Sequence, residues 1–279
     1  MSESDAIDPT ALPLTIDSLA EQFTLCGLSA GQTVIVHTRM SALGWIAGGA
    51  EAIVCALLQV LTPTGTLMMP AFSPDNTDPS NWQNPPVPEH WWQIIRDHSP
   101  VYDPLTTQTR GVGKVPEYFR CYPGVLRSDH PEASFAAIGP NAEYLLANHT
   151  KLDRIFDDDS PIGKLYQLDG YVFLLGVGYN KNTSIHLAEY RAEFPKRFFK
   201  EGTAMRVNGV RQWVTYEMQD IDDSDFTELG ADFEAAHGIS PCRVGKGEAR
   251  LMKQRPLIDF AVQWMEKHRA AKEDRSLAG

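Results

Sequence analysis

The runs Thr33-Val-Ile-Val-His37, Ala50-Glu-Ala-Ile-Val-Cys-Ala-Leu-Leu-Gln-Val-Leu61 and Thr66-Leu-Met-Met69 decide the fold. The first and third are short and apolar, and each predicts a buried strand. The second carries Ile53, Val54, Leu57, Leu58 and Leu61 at helical spacing and is stopped by Pro63 and Gly65. Strand, loop, helix and strand in this order form a βαβ unit, whose two strands must run parallel with the helix covering one face. The class that follows is α/β: a central mixed, largely parallel sheet flanked by helices, with a β-hairpin element and a long irregular loop for a ligand.

Upstream of this unit, Thr15 to Leu25 places Leu19, Phe23 and Leu25 at helical spacing, and Gly27 and Gly31 end the run. Downstream, Ser73 to Pro104 is rich in Pro, Asp, Asn and Trp and reads as helical only over Glu89 to Asp97. An irregular stretch of this length in a compact fold is more often a lid or binding loop than filler. Tyr171 to Gly176 is the most apolar strand and suits a central position. Asn208-Gly209 between Ala204–Val207 and Gln212–Tyr216 predicts a hairpin. Leu257 to Lys267 predicts a closing helix. With no internal repeat or linker, residues 13–268 are expected to form one domain, between a flexible segment 1–12 and a frayed tail 269–279.

Hydrophobic residues make up 43% of the 279-residue chain, which is enough for a large core. No apolar run approaches the roughly 20 residues of a membrane span. Met1 to Thr10 is acidic and small, unlike a secretory leader. The four cysteines are widely spaced and read as free thiols in a reducing compartment, so a cytoplasmic location is expected. The formal net charge of -11 argues against nucleic-acid binding and favours small cationic partners.

Three segments carry chemistry. Val36-His-Thr-Arg-Met-Ser-Ala-Leu-Gly44 continues through Gly48-Gly49 from a strand into a helix, where backbone N–H groups can meet an anion. It is neither GxGxxG nor a Walker loop, and by itself it suits a tight turn as well as a cofactor cradle. Ser128-Asp-His-Pro-Glu-Ala-Ser-Phe-Ala-Ala-Ile-Gly139 contains His130, which alone reads better as a structural hydrogen-bonding group than as a catalyst. Leu168 to Glu189 delivers a buried strand into Asn182-Thr-Ser184, a helix cap, and then into His186 and Glu189. These two are three residues apart and share a helix face. A histidine beside a carboxylate suits general-base work near neutral pH. The same pair could begin a metal site, but no third or fourth ligand is evident, and no metal is expected.

Taken in order, Gly65-Thr-Leu-Met-Met-Pro70, the Ser128–Gly139 box, Ser160-Pro-Ile-Gly-Lys-Leu165 and the Leu168–Glu189 run resemble the aminoglycoside 3-N-acetyltransferase family. The likeness spans about Val34 to Val262. It implies acetyl transfer from acetyl-CoA to the 3-amino group of the 2-deoxystreptamine ring of aminoglycosides, conferring antibiotic resistance. The runner-up is the same chemistry on another amine. The resemblance further implies that His37, Thr38, Arg39, Met40, Ser41, Leu43, Gly44, Gly48 and Gly49 hold acetyl-CoA, with Ser134 and Phe135 against its arm. Where the family often has Ser-Ser, this chain has Thr38 and Arg39. His186 matches the catalytic base, with Glu217 preferred over Asp220 as the carboxylate supporting it. A polycationic acceptor calls for acids and an aromatic cover; the candidates are Asp75, Asp78, Trp82, Asp159, Asn182, Glu189 and Asp220. Direct attack in a ternary complex is expected, with backbone N–H groups of Thr38–Gly44 stabilising the oxyanion. The expected assembly is a monomer or homodimer.

Overall fold

Val34, Ile35 and Val36 are fully buried because β1 (Thr33–Thr38) has a strand on either side and helices on both faces. The computed structural model describes Ile7, Thr10 and residues 12–276, with side chains through Arg269; the segment expected to be flexible, 1–12, lies almost wholly outside the described residues. β1 runs parallel to β2 (Thr66–Pro70), with Ile35 opposite Met68, and parallel to β5 (Tyr171–Leu175), with Val36 opposite Phe173. The helix between β1 and β2 is α2 (Gly49–Leu61), so the βαβ unit is present. Among the described strands, parallel pairing is confined to these three; an isolated parallel bridge joins Leu14 to Ile46. β3 (Leu126–Arg127), β4 (Phe135–Ile138), β8 (Cys242–Val244) and β9 (Gly247–Lys253) add antiparallel flanks, in the order β3-β4-β2-β1-β5-β9-β8.

Alternation along β1 divides the core in two. Val34 and Val36 pack with Leu19 and Phe23 of α1 (Ile16–Leu25), Ile53 and Leu57 of α2 and Phe119 of α4 (Lys114–Arg120). Ile35 faces the other way. It packs with Ile162 and Leu165 of α6 (Pro161–Gln167), Leu187 of α7 (His186–Arg191), Phe226 and Leu229 of α8 (Phe226–His237), and Leu257 and Ile258 of α9 (Gln254–Ser276). No described helix is long and apolar enough to cross a membrane.

The hairpin stands outside the main sheet. β6 (Phe198–Val207) and β7 (Val210–Gln219) pair across ten positions, and Asn208 and Gly209 both adopt positive φ (51° and 81°) as a tight two-residue turn requires. This arm holds the irregular loop in place. Arg211 Nε donates to Ser99 O (2.9 Å) and its Nη2 to Arg96 O (2.6 Å), while Asn81 Nδ2 donates to Lys200 O (2.8 Å). Within the loop a short turn, Glu89–Trp91, leads into α3 (Trp92–His98). α5 (Ala142–Leu146) follows β4.

One cysteine expectation is corrected. Cys26, capping the end of α1, and Cys242 on β8 form a disulfide across 216 residues, with Cα atoms 5.5 Å apart. Spacing along the chain gave no hint of it, because the pair meets only when α1 packs against the sheet edge. Cys55 and Cys121 are free. Thiol titration of the denatured, unreduced protein should therefore find two thiols, and four after reduction. Cys26→Ser should lower unfolding stability by about 2–4 kcal/mol, read by urea titration. Four thiols without reduction would overturn the assignment.

Candidate active site

The parallel strands β1, β2 and β5 end on one edge of the sheet, and that edge is where ligands bind in open α/β folds. His37 and Thr38 end β1; Pro70 and Phe72 end and follow β2; Val177 and Asn180–Thr183 follow β5. With Arg110, Gly111, Glu132, Phe156, His186, Asp223 and Phe226 they line a cavity of about 350 Å³. Close approach at Gly176 (φ 71°) makes this edge possible: a Cβ there would lie 2.8 Å from Arg39 O.

His186 opens α7. It is sandwiched between Phe156, stacked at 5.3 Å and 11°, and Phe226 at 4.9 Å. Its Nδ1 hydrogen-bonds to Glu189 Oε2, one turn on. A carboxylate only accepts, so in the neutral ring Nδ1 holds the proton and Nε2 keeps its lone pair for a ligand. Glu189 is 1% exposed. Its Oε1 accepts from Asp222 N (3.0 Å) and from Arg269 Nη1 (2.5 Å). Arg269 also donates to both carboxylate oxygens of Asp225 (3.1 and 2.7 Å) and to Asp222 O (2.8 Å). The tail expected to fray from 269 thus begins with a residue tied into the site.

Two further groups adjoin the dyad. Burial, with His186 nearby, pushes the His37 imidazole down to about 3, so it stays neutral; its Nε2 is buried without a partner. Asn182 Oδ1 accepts from Ser184 N (3.1 Å), which fixes the amide and leaves Nδ2 buried and unpaired.

A second cavity of about 680 Å³ shares Pro74, Arg110, Gly111 and Glu132 with the first and is lined by Asp75, Trp82, Glu201 and Asp220. Burial and the neighbouring Glu201 push the Glu132 carboxyl up to about 8. A third cavity, of about 530 Å³, lies between Leu43, Gly44, Trp45 and the basic side chains Arg243 and Lys246.

Nine of the twenty site residues singled out in the sequence line these cavities, and eleven do not. Glu217 is exposed on β7 opposite Lys200, and the carboxylate at His186 is Glu189 instead. Gln219, on the same strand face as Glu217 but two residues further on, is the residue buried beside Glu189, donating to its carbonyl (3.3 Å), while Glu217 lies on the exposed part of the arm. Glu189 itself is too enclosed to meet a substrate. Asp78 is buried in a two-pronged pair with Arg96 (2.7 and 3.0 Å), and Asp159 pairs with Lys151 away from the three cavities. Ser134 and Phe135 are fully buried, Ser134 donating to Ala71 O (2.7 Å), so Glu132 and Ala133 form the wall. Leu43 and Gly44 line the third cavity; Arg39, Met40, Ser41, Gly48 and Gly49 line none of the three. The amides of Arg39, Ala42 and Leu43 already donate to Leu175 O, Arg39 O and Met40 O, so they cannot serve an oxyanion. Asp75 pairs with Arg110. Trp82 donates to Thr77 Oγ1 (2.9 Å). His130 accepts from Glu132 N (3.2 Å) and Ala133 N (3.0 Å), the structural role its sequence setting suggested.

The sequence reading missed Arg269, Glu132 and Glu201. Arg269 lies in a charged run with no local signal, and Glu201 sits amid alternating hairpin residues. Glu132 alone was visible, inside the His130-Pro131 box.

A family profile described as aminoglycoside 3-N-acetyltransferase matches residues 35–266. YokD of Bacillus subtilis (strain 168), described as an SPbeta prophage-derived aminoglycoside N(3')-acetyltransferase-like protein, is 41% identical over 259 residues, covering 92% of this chain and 94% of its own. Its crystal structure superposes with a TM-score of 0.91 over 95% of this chain and 98% of its own. Aminoglycoside N(3)-acetyltransferase VII of Streptomyces paromomycinus is 37% identical, covering 91% and 92%. The structure described as AAC-IIIb binary with CoASH superposes at 0.80 with 30% identity, over 92% and 97%. The chain therefore belongs to the aminoglycoside 3-N-acetyltransferase family, whose members are acyltransferases.

Proposed function

We propose that this chain transfers the acetyl group of acetyl-CoA to the 3-amino group of the 2-deoxystreptamine ring of aminoglycosides, conferring resistance, with both substrates bound together. The observation that carries the chemistry is the His186–Glu189 pair on the cavity wall, with Nδ1 committed and Nε2 free. An acceptor amine near neutral pH is largely an ammonium and has no lone pair to attack with. His186 Nε2 takes one N–H proton, and the amine nitrogen then bonds to the acyl carbon as the carbon–sulfur bond breaks. The departing sulfur takes the second N–H proton and leaves as the free thiol, while the imidazolium returns its proton to solvent. Acetyl-CoA, when bound, supplies that carbon already activated by its thioester. Glu189 holds the ring and stabilises the imidazolium that forms. His37, neutral throughout, adds no opposing positive charge beside it. Asn182 Nδ2, buried without a partner, is a further donor for the charge that develops on the acyl oxygen, beside the amides of the Thr38–Gly44 loop other than those of Arg39, Ala42 and Leu43. Arg243 and Lys246, beside Leu43 and Gly44, support placing the anionic end of CoA there.

The test is thiol release from acetyl-CoA with a panel of 2-deoxystreptamine aminoglycosides. One thiol per acetylated amine is expected, with no burst of acetyl-enzyme. Binding of acetyl-CoA without turnover of any member of the panel would move the acceptor to another amine. A burst would overturn direct transfer.

A further inference from the structure

Glu132 has no part in the proton transfer above, yet it sits on the ridge between the first and second cavities and lines both. Its backbone is held on either side: its N–H donates to His130 Nδ1 (3.2 Å) and its carbonyl accepts from Ser73 N (2.8 Å). The side chain is not satisfied in the same way. Oε2 is sealed from solvent and has no hydrogen-bond partner. Arg110, the basic side chain that lines both cavities, is committed to Asp75 and to Asn84 O (2.8 Å). Glu201, from β6, has its own partners: Oε1 accepts from Asp78 N (2.5 Å) and Gly202 N (2.8 Å), and Oε2 from Asn81 Nδ2 (3.1 Å). Tyr190 of α7 and Tyr216 of β7 lie close enough to sense the Glu132 charge, and both hydroxyls are buried and unpaired. An unsatisfied buried carboxyl among unsatisfied hydroxyls is costly unless a ligand completes it.

We propose that Glu132 is the seat for a second ammonium group of the acceptor, which bridges the two cavities while its reacting amine lies at His186. This rests on the acceptor being the polyamine of the function proposed above. The acceptor would then be positioned at two points, one reacting and one anchoring, which selects polyamines over simple amines.

The groups facing Glu132 explain how the seat stays stable when empty. Burial and the Glu201 charge push its carboxyl up to about 8, so at pH 7 it is mostly the neutral acid. His130, on its own segment, is neutral, pushed down to about 3 by burial. Tyr190 and Tyr216 are pushed up by burial and remain hydroxyls. Across the first cavity lie His186, Lys181 and Asp223, and across the second Arg110, Asp75 and Asp220. An arriving ammonium favours the carboxylate; the carboxyl proton leaves to solvent, and the ammonium stays protonated beside the carboxylate, on the side that is open to the cavities.

The experiment compares wild type with Glu132→Gln, using gentamicin and 2-deoxystreptamine as acceptors. The variant should raise the KM for gentamicin about 10- to 100-fold, the span expected for a charged hydrogen bond, and leave kcat and the acetyl-CoA KM unchanged. 2-Deoxystreptamine, which keeps its second ring amine but lacks the amines of the flanking sugars that can span the two cavities, should be affected less than gentamicin. Calorimetric titration of gentamicin at pH 7 in buffers of different ionisation enthalpy should show wild type releasing about one proton more than Glu132→Gln. Proton uptake by the ligand's own amines is common to both proteins and cancels. Relative to Glu132→Gln, unliganded wild type should lose stability as pH rises from about 4.5 to about 8, because the unfolded carboxyl ionises first; cooperative unfolding of Glu132→Gln in the same titration confirms that the variant folds. Equal gentamicin KM values, or equal proton release, would overturn the proposal. If wild type turned over no aminoglycoside, the function proposed above would fall, while the calorimetric comparison would still decide whether Glu132 receives an ammonium.

Discussion

His186→Gln is expected to lower kcat for acetyl transfer by about 10²- to 10⁴-fold, the usual contribution of a positioned general base. The KM for acetyl-CoA should hardly change. Glutamine preserves much of the bulk between Phe156 and Phe226 and can still donate toward Glu189, so the protein should stay folded. What it lacks is a basic nitrogen at the position of Nε2. The residual rate should rise with pH well beyond the wild-type plateau, because only acceptor already deprotonated in solution can then react. A variant within threefold of wild type at pH 7 would sink the assignment of the base.

Glu189→Ala carries the second large effect, and it is one of stability as well as rate. The substitution removes a carboxylate that is 1% exposed and leaves three donors facing the gap: His186 Nδ1, the Asp222 amide and Arg269 Nη1. Arg269 keeps Asp225, but its charge loses one of two buried counterions. Breaking one partner of such a network costs about 3–5 kcal/mol, most of it the penalty of stranded polar groups. Urea unfolding should read that loss, and kcat should fall to near the His186→Gln level. Glu189→Gln should recover part of the stability, since its amide oxygen can still accept, but little of the rate, since a neutral amide cannot stabilise an imidazolium. A loss below 1 kcal/mol for Glu189→Ala would mean that the cluster relaxes freely, and the preorganisation argued for His186 would fail with it.

Legibility in the sequence followed the range of the interaction. His186 and Glu189 could be paired from their spacing because three residues on a helix is a local geometry, and the hairpin followed from Asn208-Gly209 because a two-residue turn has few conformers. Glu217 was misplaced for the opposite reason. Its position after an aromatic strand made it a plausible partner, but whether it faces inward depends on the register that buries Met218 and Gln219. Asp78 and Asp159 were legible as acids and illegible as partners, because Arg96 and Lys151 reach them through loop conformations that no periodicity encodes.

By itself the sequence determined the βαβ unit, the apolar strand β5, the hairpin at Asn208-Gly209, the helical face shared by His186 and Glu189, and the family resemblance, all carried by short-range pattern. Only the tertiary structure decided that Arg269 clamps Glu189 across 80 residues, that Cys26 bonds Cys242 across 216, and that Glu132 meets Glu201 on a ridge between two cavities. These contacts depend on how α1, α9 and the hairpin pack against the sheet. Packing is set by the summed burial of many side chains, so no local run of residues records it.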